Sequence, residues 1–308
     1  MSGRVDLSVV ISTFNTRALL EACLRSLLED LARSDFTYEV IVVDDASTDG
    51  SAEMVAAQFP QVRLITQTEN GGYARGNNAG VRAAVGRAVL LLNSDTVVRP
   101  GCVSSLFGAL VRRKQPVAVG PTLLNADGTV QRSCWRFPLA SLLGNTMWLF
   151  SLKLLNDYEV WDGRTDREVD WISSAALLVR AVAFVDVGFF DERFGVYGVD
   201  VDWALRARRK GYRFVQVAGP MVVHHGRASW GEARARMYSD HLHSHGLLFR
   251  KHYGPLGLAL YRSVVLVNSM IRMLFWGLLA MLGKGRLDHK VAHFRRLIRW
   301  SVMGDSRL

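Results

Sequence analysis

Cysteine is scarce in this sequence, and the few cysteines present lack a spacing with an evident chemical purpose. Among 308 residues there are three, Cys23, Cys102 and Cys134, an odd number with no CxxC pair. The sequence therefore predicts neither a disulfide framework nor a zinc site built on cysteine. Reduced thiols of this kind are typical of a protein that stays in the cytoplasm.

Signals for export and for two common nucleotide-binding loops are also missing. The first ten residues, MSGRVDLSVV, contain no basic region followed by a long apolar stretch and a cleavage site, so we expect no export. The glycine-rich segment NGGYARGNNAG at 70–80 follows the third predicted strand and lacks the GxGxxG spacing of dinucleotide-binding folds. It also lacks the GK[ST] sequence of a Walker A loop. A nucleotide bound in some other way is compatible with these absences.

Acidic residues are rare at the C-terminal end, where the formal charge of +10 is concentrated. From Lys251 to Leu308 there are ten Lys and Arg against two Asp. The same region is dense in apolar residues, which argues against nucleic acid as the partner, but Arg262 and Arg272 interrupt the run of ~20 that a crossing helix needs. The pattern favours helices that lie at an anionic membrane surface. A helical pair packed on the domain, with ordinary surface charges, is the alternative.

The first half of the chain alternates strand-like and helix-like segments. Strands are predicted at 7–13, 38–45, 62–67 and 87–95, and a helix at 19–33. At 49% hydrophobic residues the chain can bury a full core. One face of the predicted helix carries Leu20, Leu24, Leu27, Leu28 and Leu31. The alternation predicts an α/β fold with a mostly parallel central sheet flanked by helices.

Several predicted strands end in polar residues, as in the stretch LLLNSDTVV at 90–98. These residues are Ser12, Thr13 and Asn15 after the first strand, Asp44 and Asp45 after the second, and Asn93, Ser94 and Asp95 after the fourth. Each could simply turn the chain. Because parallel strands deliver their carboxyl ends to one edge, the set also predicts a ligand cleft. Arg75, Asn77 and Asn78 in the glycine-rich segment offer further donors for phosphate or ribose oxygens.

An ordered set of segments resembles the inverting glycosyltransferases of family 2, which have the GT-A fold, especially bacterial rhamnosyltransferase-like members. The segments are VVISTFN, VVDDASTDGS, NGGYARGNNAG, LLLNSD, VDWISSAALLVR, GFFDERFGVYGVDVDWALRARRKGY and VVHHGRAS. They run from about Leu7 to Ser229 in the family's order. The resemblance implies a Rossmann-like GT-A catalytic domain at 1–240 and does not extend to the tail. From charge and apolar density alone we expect residues 241–308 to form a basic, apolar segment of amphipathic helices that associates with a membrane.

The resemblance also implies roles for individual residues. Ser12 and Asp45 match positions that hold the base and ribose of the donor. Asp95 closes a DxD-like motif, here NSD, that would bind Mg²⁺ or Mn²⁺, and His224 matches a histidine that can complete the metal or diphosphate site. Asp200 matches the proposed general base. The remaining residues that we assign to donor binding are Asn15, Arg75, Asn78 and Asn93.

Two of these assignments have competitors in the sequence. The family commonly has Glu-Asp where this chain has Val199-Asp200, so Asp202 or Asp191 could be mistaken for the base. Asp202 could equally be a carboxylate at a helix N-terminus. His225 competes with His224 as the metal ligand. The candidates for acceptor binding are Trp171, Ser173, Asp202 and Trp203, with the aromatic residues, Tyr197 included, also suited to core packing.

The resulting hypothesis is transfer of a sugar from a nucleotide-sugar donor to a lipid-linked or polysaccharide acceptor in cell-envelope glycan synthesis. The donor suggested by the resemblance is dTDP-rhamnose. The protein would be peripheral on the inner face of a bacterial plasma membrane, with no nucleic-acid partner and a homo-oligomer left open. The alternatives are a catalytically silent protein that binds nucleotide sugars and a sugar nucleotidyltransferase.

Overall fold

The computed structural model describes residues 5–115, 117–135, 161, 163–195, 197–226, 234–281 and 288–303. The chain divides into two compact units. The first unit comprises residues 1–136 and 160–231, and the second comprises residues 137–159 and 232–308. A separate catalytic domain at 1–240 stays a prediction.

The first unit alternates strands with helices, which confirms the predicted α/β class. Its strands are β1 Leu7–Thr13, β2 Tyr38–Asp44, β3 Arg63–Thr66, β4 Ala88–Leu92, β5 Thr96–Val98, β6 Val117–Leu124, β7 Cys134–Trp135, β8 Arg167–Val169, β9 Trp171–Ile172, β10 Ala176–Arg180 and β11 Arg213–His224. Its helices are α1 Arg17–Leu31, α2 Ser51–Gln58, α3 Gly72–Ala83, α4 Cys102–Arg112, α5 Val182–Asp186 and α6 Val199–Arg209. The four strands predicted from the sequence are β1 to β4.

The main sheet has the order β3-β2-β1-β4-β10-β6-β11-β5, and β8 pairs with β11 beside this path. The pairings make β1, β2, β3, β4, β6 and β11 run in one direction, whereas β5, β8 and β10 run in the other. The sheet is therefore mixed but mostly parallel in direction. Strand β10 lies between β4 and β6, so two parallel groups are joined through an antiparallel strand.

The core of the first unit follows the apolar periodicity of the sequence. Leu20, Leu24, Leu27 and Leu31 of α1 are buried at 0–1% exposure, and Leu28 packs against them. They meet buried residues of β1 and β2, because a helix with one leucine face covers the sheet with that face. Removal of one such side chain costs about 2–5 kcal/mol. This packing fixes the edge on which the polar residues lie.

That edge collects the carboxyl ends of several strands. In β1 and β2, Thr13 pairs with Asp44, so both strands end at the same level. Strand β4 ends at Leu92 opposite Ala176, the first residue of the antiparallel β10. The residues just before β10 therefore lie at the same edge as those just after β4.

The second unit contains two described helices, α7 Arg234–Met281 and α8 Asp288–Met303. Helix α7 is interrupted at Gly254, whose φ of 71° and ψ of −166° are not helical, and Pro255 follows. The core of this unit consists of Leu242, Phe249, Tyr261, Val265, Phe294, Leu297 and Trp300. Within the described residues, one helical stretch, Leu242–Leu278, is long and apolar enough to cross a membrane by length and composition alone.

One face of α7 after Pro255 carries exposed apolar side chains at helical spacing. We call this face the apolar stripe, and it consists of Leu256, Leu260, Val267, Met270, Leu274 and Leu278. Exposure of these side chains ranges from 44% to 85%. Arg262 lies off the stripe, because its guanidinium is 5.6 Å from the centre of the buried Trp300 ring in α8. The stripe therefore does not include Arg262, one of the two arginines that interrupt the apolar run in the sequence.

Candidate active site

The pairing of β5 with β11 brings Asp95 and His224 together. Thr96, the first residue of β5, lies opposite His224, the last residue of β11. The backbone N–H of His225 donates to the carbonyl oxygen of Asp95 at 2.9 Å, and His224 Nε2 lies 3.3 Å from Asp95 Oδ1. Both side chains keep some exposure, 17% for His224 and 15% for Asp95. They form a small polar surface at the edge of the sheet.

The orientation of His224 is set by Gln131. The Gln131 amide nitrogen donates to Asn125 Oδ1 at 2.9 Å and to the His224 carbonyl oxygen at 3.2 Å. Its oxygen is therefore the atom that lies 2.6 Å from His224 Nδ1. Because an amide oxygen only accepts, Nδ1 carries a proton, and Nε2 is the ring nitrogen that faces Asp95.

These two atoms are candidate ligands for a divalent cation. A carboxylate oxygen and an imidazole lone pair 3.3 Å apart repel each other unless a proton or a cation lies near both. In the residues that the structure describes, no group of three or more His, Cys, Asp or Glu side chains could hold a metal ion. Two protein ligands are nevertheless enough when phosphate oxygens and waters supply the rest, as is usual for Mg²⁺.

On the other side of the edge, hydrogen bonds connect the loop after β1 to the loop after β2. Asn15 has a left-handed φ of 52°, its backbone N–H donates to Ser47 Oγ at 3.0 Å, and its side-chain oxygen accepts from the Thr48 N–H at 2.8 Å. Asn tolerates this conformation better than most residues. Asn15 therefore shapes the loops, and its amide oxygen is already engaged.

Asp45 anchors the glycine-rich segment. Its carboxylate is 2% exposed and accepts the backbone N–H of Gly71 at 3.0 Å and of Gly72 at 2.8 Å. These amides open α3, where a negative charge is favourable at the positive end of the helix dipole. Gly72 has a φ of +79°, which favours glycine. In this position Asp45 would act on a donor mainly through the loop that it holds.

Ser12 lies against the same helix. An ideal Cβ added to Gly76 of α3 would come within 2.1 Å of Ser12 Oγ, so α3 approaches β1 at a distance that only glycine permits. Ser12 is half-buried at the end of β1. The close approach fixes the position of the Ser12 hydroxyl at the cleft edge.

Asp200 lies near the start of α6, in a half-buried position next to the residues that precede β10. Ser174 donates to it twice, through its backbone N–H to Oδ2 at 3.2 Å and through its Oγ–H to Oδ1. Burial raises the pKa of Asp200 to about 6, and the two hydrogen bonds from Ser174 oppose this rise. A carboxylate with such a pKa is ionised at neutral pH and basic enough to accept a proton from a hydroxyl.

Tyr73 links the glycine-rich segment to this carboxylate. Its hydroxyl lies 2.6 Å from Ser174 Oγ and 3.2 Å from the Ser174 carbonyl oxygen, and its one proton can be donated to either atom. Burial raises the pKa of Tyr73 above its ordinary value, and the charges of Asp200 and Asp95 raise it further. Tyr73 therefore stays protonated and lies within electrostatic range of both carboxylates.

Two residues expected to bind the donor are engaged elsewhere. Asn78 is 1% exposed, donates to the Phe190 carbonyl oxygen and to Glu192, and accepts from the Phe190 N–H. It therefore ties α3 to the segment before α6, which corrects the expectation of a phosphate ligand. Arg75 lies at the surface, where it pairs with Glu69 at 2.7 Å. A surface pair of this kind contributes little to stability, so Arg75 can exchange partners.

The competitors for the base role are also engaged. Asp202 is fully buried and accepts from Arg206 Nε at 3.0 Å, whereas Asp191 forms a bidentate pair with Arg193. Arg206 in turn donates to the Val187 carbonyl oxygen at 2.7 Å. The position of Asp202 corrects the expectation that it contacts an acceptor.

Trp203 is likewise a core residue. It is 1% exposed, its Nε1–H donates to the Gly188 carbonyl oxygen at 2.9 Å, and its ring packs edge-on against Phe190 and Phe214. A ring with this burial has no face left for a sugar, so the acceptor role expected for Trp203 is wrong.

The other candidates retain some exposure at or near the edge. Trp171 and Ser173 flank the buried Ile172, and the Ser173 N–H donates to the Ser133 carbonyl oxygen at 2.8 Å. Asn93 is partly exposed, and its N–H donates to the Ala175 carbonyl oxygen at 3.0 Å. They stay predictions for donor or acceptor contacts.

Three residues that the site brings together were not assigned a role from the sequence. These are Tyr73, Gln131 and Ser174. Ser174 lies in the segment VDWISSAALLVR, which carries the resemblance, but the sequence does not show that Asp200 is its partner. Gln131 lies outside the segments that carry the resemblance, and no pattern in the sequence marks it.

Family models match most of the chain. The model described as glycosyl transferase family 2 matches residues 8–166, and the model described as glycosyl transferase family group 2 matches residues 88–298. The first match spans the loops after β1, β2 and β4, and the second spans Asp95, Asp200 and His224.

Two curated proteins are similar over most of this chain. An N-acetylglucosaminyl-diphospho-decaprenol L-rhamnosyltransferase of Mycobacterium tuberculosis is 30% identical over 292 residues, which cover 86% of this chain and 94% of that protein. The O-antigen biosynthesis protein RfbC of Myxococcus xanthus is 30% identical over 260 residues, which cover 83% of this chain and 20% of that protein.

A solved structure shares the fold. The mannosyltransferase PcManGT from Pyrobaculum calidifontis, in complex with GDP-Man and Mn²⁺, superposes with a TM-score of 0.53 at 17% identity, covering 98% of this chain and 87% of that one. At this identity the likeness shows the fold alone, which is the GT-A fold expected from the sequence.

Proposed function

We propose a donor, an acceptor and a site of action for this chain, which belongs to glycosyltransferase family 2 and is an inverting, nucleotide-sugar-dependent enzyme. The observation that carries the proposal is the placement of Asp200 at the same sheet edge as the pair formed by Asp95 and His224. A base for an acceptor hydroxyl and a site for a diphosphate then face one cleft.

In this proposal Asp200 accepts the proton of the acceptor hydroxyl as its oxygen attacks the anomeric carbon. The bond to the nucleoside diphosphate breaks on the opposite face of the sugar, so one displacement inverts the anomeric centre. The raised pKa of Asp200 suits this task, because a general base is most effective when its pKa lies near the working pH.

Asp95 and His224 would hold Mg²⁺ or Mn²⁺ together with the donor diphosphate. Bound there, the cation would neutralise the negative charge that develops on the leaving group. The tautomer of His224 that Gln131 selects leaves Nε2 available, which supports this assignment. The PcManGT complex contains Mn²⁺, which is further support from the same fold.

We assign L-rhamnose as the transferred sugar and a polyprenyl diphosphate-linked sugar as the acceptor. The support is the mycobacterial relative, whose name specifies both and whose length this chain nearly matches. The donor would be dTDP-rhamnose, and the product would enter cell-envelope glycan synthesis. A lipid-linked acceptor also requires the enzyme to work at a membrane.

We further propose that the second unit attaches the enzyme to the inner face of the plasma membrane. The apolar stripe extends over 23 residues, about 33 Å of helix, and its members carry no charge. Arg262 points toward Trp300 instead, and Arg295, Arg296 and Arg299 are exposed on α8. A helix with one apolar face beside exposed arginines suits an interfacial position on anionic lipid.

An assay with defined substrates tests the enzymatic part. Purified full-length protein is incubated with Mn²⁺, a detergent-solubilised polyprenyl diphosphate-linked N-acetylglucosamine, and dTDP-rhamnose, UDP-N-acetylglucosamine or GDP-mannose in separate reactions. Mass spectrometry should detect a rhamnosylated lipid only with dTDP-rhamnose, and Asp200→Asn should lose the product while it still binds dTDP.

Other outcomes select the alternatives. If sugar were transferred only from another donor, rhamnose would be refuted as the transferred sugar, and the assignment as a glycosyltransferase would stand. Nucleotide binding without transfer from any donor would favour a silent binding protein. Synthesis of a nucleotide sugar from a sugar phosphate and a nucleoside triphosphate would favour a nucleotidyltransferase.

A further inference from the structure

We infer that Tyr73 and Ser174 form a positioning pair for Asp200, in which the Tyr73 hydroxyl donates to Ser174 Oγ and Ser174 Oγ donates to Asp200 Oδ1. The inference rests on the proposed role of Asp200 as the general base. It adds two residues to the reaction, neither of which would touch the reacting atoms.

The direction of the two hydrogen bonds follows from a count of protons. An ionised carboxylate has no proton to give, so the single proton of the Ser174 hydroxyl must lie toward Asp200. Ser174 Oγ can then only accept at its other contact, and the proton between it and Tyr73, 2.6 Å away, belongs to Tyr73. A chain of donors in this order strengthens the final bond to the charge.

Both members of the positioning pair are also fixed by contacts other than the hydrogen bonds that link them to Asp200. Tyr73 follows Gly72, whose N–H is bound by Asp45, and its own carbonyl oxygen accepts from Asn77 at 2.9 Å. The Tyr73 ring stacks on Phe190 with centroids 6.4 Å apart. Ser174 is 1% exposed and lies two residues before β10 begins at Ala176. The pair therefore presents Asp200 with a donor whose position does not depend on the acceptor.

The groups that face Asp200 are few in the described residues. Tyr73 approaches from α3, and the charge of Asp95 reaches Tyr73 from the turn after β4. On α6 itself, Asp202 is paired with Arg206. Ser174 is thus the group that favours ionisation of Asp200 against its burial. Loss of its hydroxyl should move the titration of Asp200 to higher pH, because hydrogen bonds to a carboxylate stabilise its charged form.

The test uses Ser174→Ala, Ser174→Thr and Tyr73→Phe in the full chain. Two readouts are taken, the pH dependence of kcat/KM and the titration of the Asp200 side-chain carbon followed by carbon-13 NMR, assigned with Asp200→Asn. Ser174→Ala should move both curves by about one pH unit upward, which lowers the rate roughly tenfold well below the new midpoint. Tyr73→Phe should move them less in the same direction, and Ser174→Thr should restore them.

Tyr38→Phe is the matched control, because Tyr38 is partly exposed at the start of β2. Unshifted curves in both Ser174→Ala and Tyr73→Phe would overturn the inference. Should Ser174→Ala fail to fold, Tyr73→Phe decides alone, since it keeps the ring that stacks on Phe190. If the wild type transferred no sugar but the Ser174→Ala and Tyr73→Phe variants still shifted the carbon-13 titration of Asp200, the proposed function would be rejected and the positioning pair would stand.

Discussion

Thr96 and His224 are opposite residues in the antiparallel pairing of β5 with β11, and this register places His224 Nε2 3.3 Å from Asp95 Oδ1. The two residues are far apart in the sequence and meet because a three-residue strand follows Asp95 directly. The NSD turn is therefore one half of the proposed metal site, and the other half lies at the end of β11.

Asp95→Asn should remove the metal-dependent part of nucleotide binding. The amide keeps the size of the carboxylate but not its charge, which a divalent cation requires. Calorimetry should show that Mn²⁺ raises the affinity of the wild type for dTDP but leaves the affinity of the variant unchanged. With Mn²⁺ present, the variant should therefore bind dTDP about 10–100-fold more weakly than the wild type. Asp35→Asn, at an exposed carboxylate, is the control, and equal Mn²⁺ dependence in both variants would remove Asp95 from the site.

Gln131→Leu should weaken Mn²⁺ binding without contact to the ion. The leucine cannot accept from His224 Nδ1, so the imidazole is free to change tautomer and orientation. We expect about 10–100-fold lower affinity for Mn²⁺ in the presence of dTDP, measured by calorimetry. Gln131→Glu keeps an acceptor for Nδ1 and should recover part of the affinity, whereas full affinity in Gln131→Leu would contradict this role.

Asp200→Asn should lower turnover by roughly 10²–10⁴-fold with little change in donor affinity. In the wild type, kcat/KM should rise about tenfold per pH unit below a midpoint near the pKa of Asp200, about 6, and level off above it, because only the ionised carboxylate accepts a proton. Steady-state rates measured from about pH 4.5 to about pH 8 check this dependence.

Asp202→Asn is the informative comparison for that experiment. It breaks a buried pair with Arg206 and should cost stability, about 3–5 kcal/mol for the loss of one partner. Its effect should appear as a lower thermal midpoint. A normally stable Asp202→Asn with abolished turnover would make Asp202 the base.

Gly76→Ala should disturb the donor side of the cleft. The new Cβ would lie 2.1 Å from Ser12 Oγ, so either the serine or α3 must move, at a cost of about 1–3 kcal/mol. Thermal unfolding and dTDP titration measure the two effects. Gly195→Ala is the control, because its Cβ would meet nothing within 4 Å. The pair Ser12→Gly with Gly76→Ala should be more stable than Gly76→Ala alone.

The double variant Leu260→Glu, Leu274→Glu should release the protein from anionic vesicles. Each leucine on the apolar stripe that enters lipid contributes about 1.5–3 kcal/mol, which a charge reverses. Flotation at low salt measures the bound fraction. Val185→Glu adds a charge at an apolar residue of the first unit that is 83% exposed and serves as control. Vesicle binding unchanged by the double variant would leave the stripe to another partner.

The sequence was sufficient to predict β1 to β4 and α1, but not the later strands of the sheet or the contacts between elements. The leucine face of α1 and strands β1 to β4 follow from periodicity, because burial imposes the same spacing on any chain that folds this way. The antiparallel β10 was not predicted, since strand direction depends on the path of the chain and not on local pattern. Asp95 was predicted from its place after an apolar strand.

Side-chain burial explains the assignments that were wrong. A polar residue in a glycine-rich loop and a tryptophan near a catalytic motif look the same in sequence whether they face a ligand or the core. Asn78 and Trp203 face the core, where Phe190 contacts both. Ser174 and Gln131 act on residues 26 and 93 positions away, a distance at which one sequence carries no signal.

The interruption at Gly254 means that α7 is two helices with independent rotational settings. Gly254 has a backbone conformation that side chains oppose, and Pro255 starts the next helix without needing a hydrogen bond to the previous turn. An inserted residue before Gly254 would therefore be absorbed at this junction and leave the direction of the apolar stripe unchanged. An inserted residue after Leu260 would rotate all later members of the stripe by about 100° relative to Leu256. The direction of the apolar stripe is therefore set by the helix that begins at Pro255.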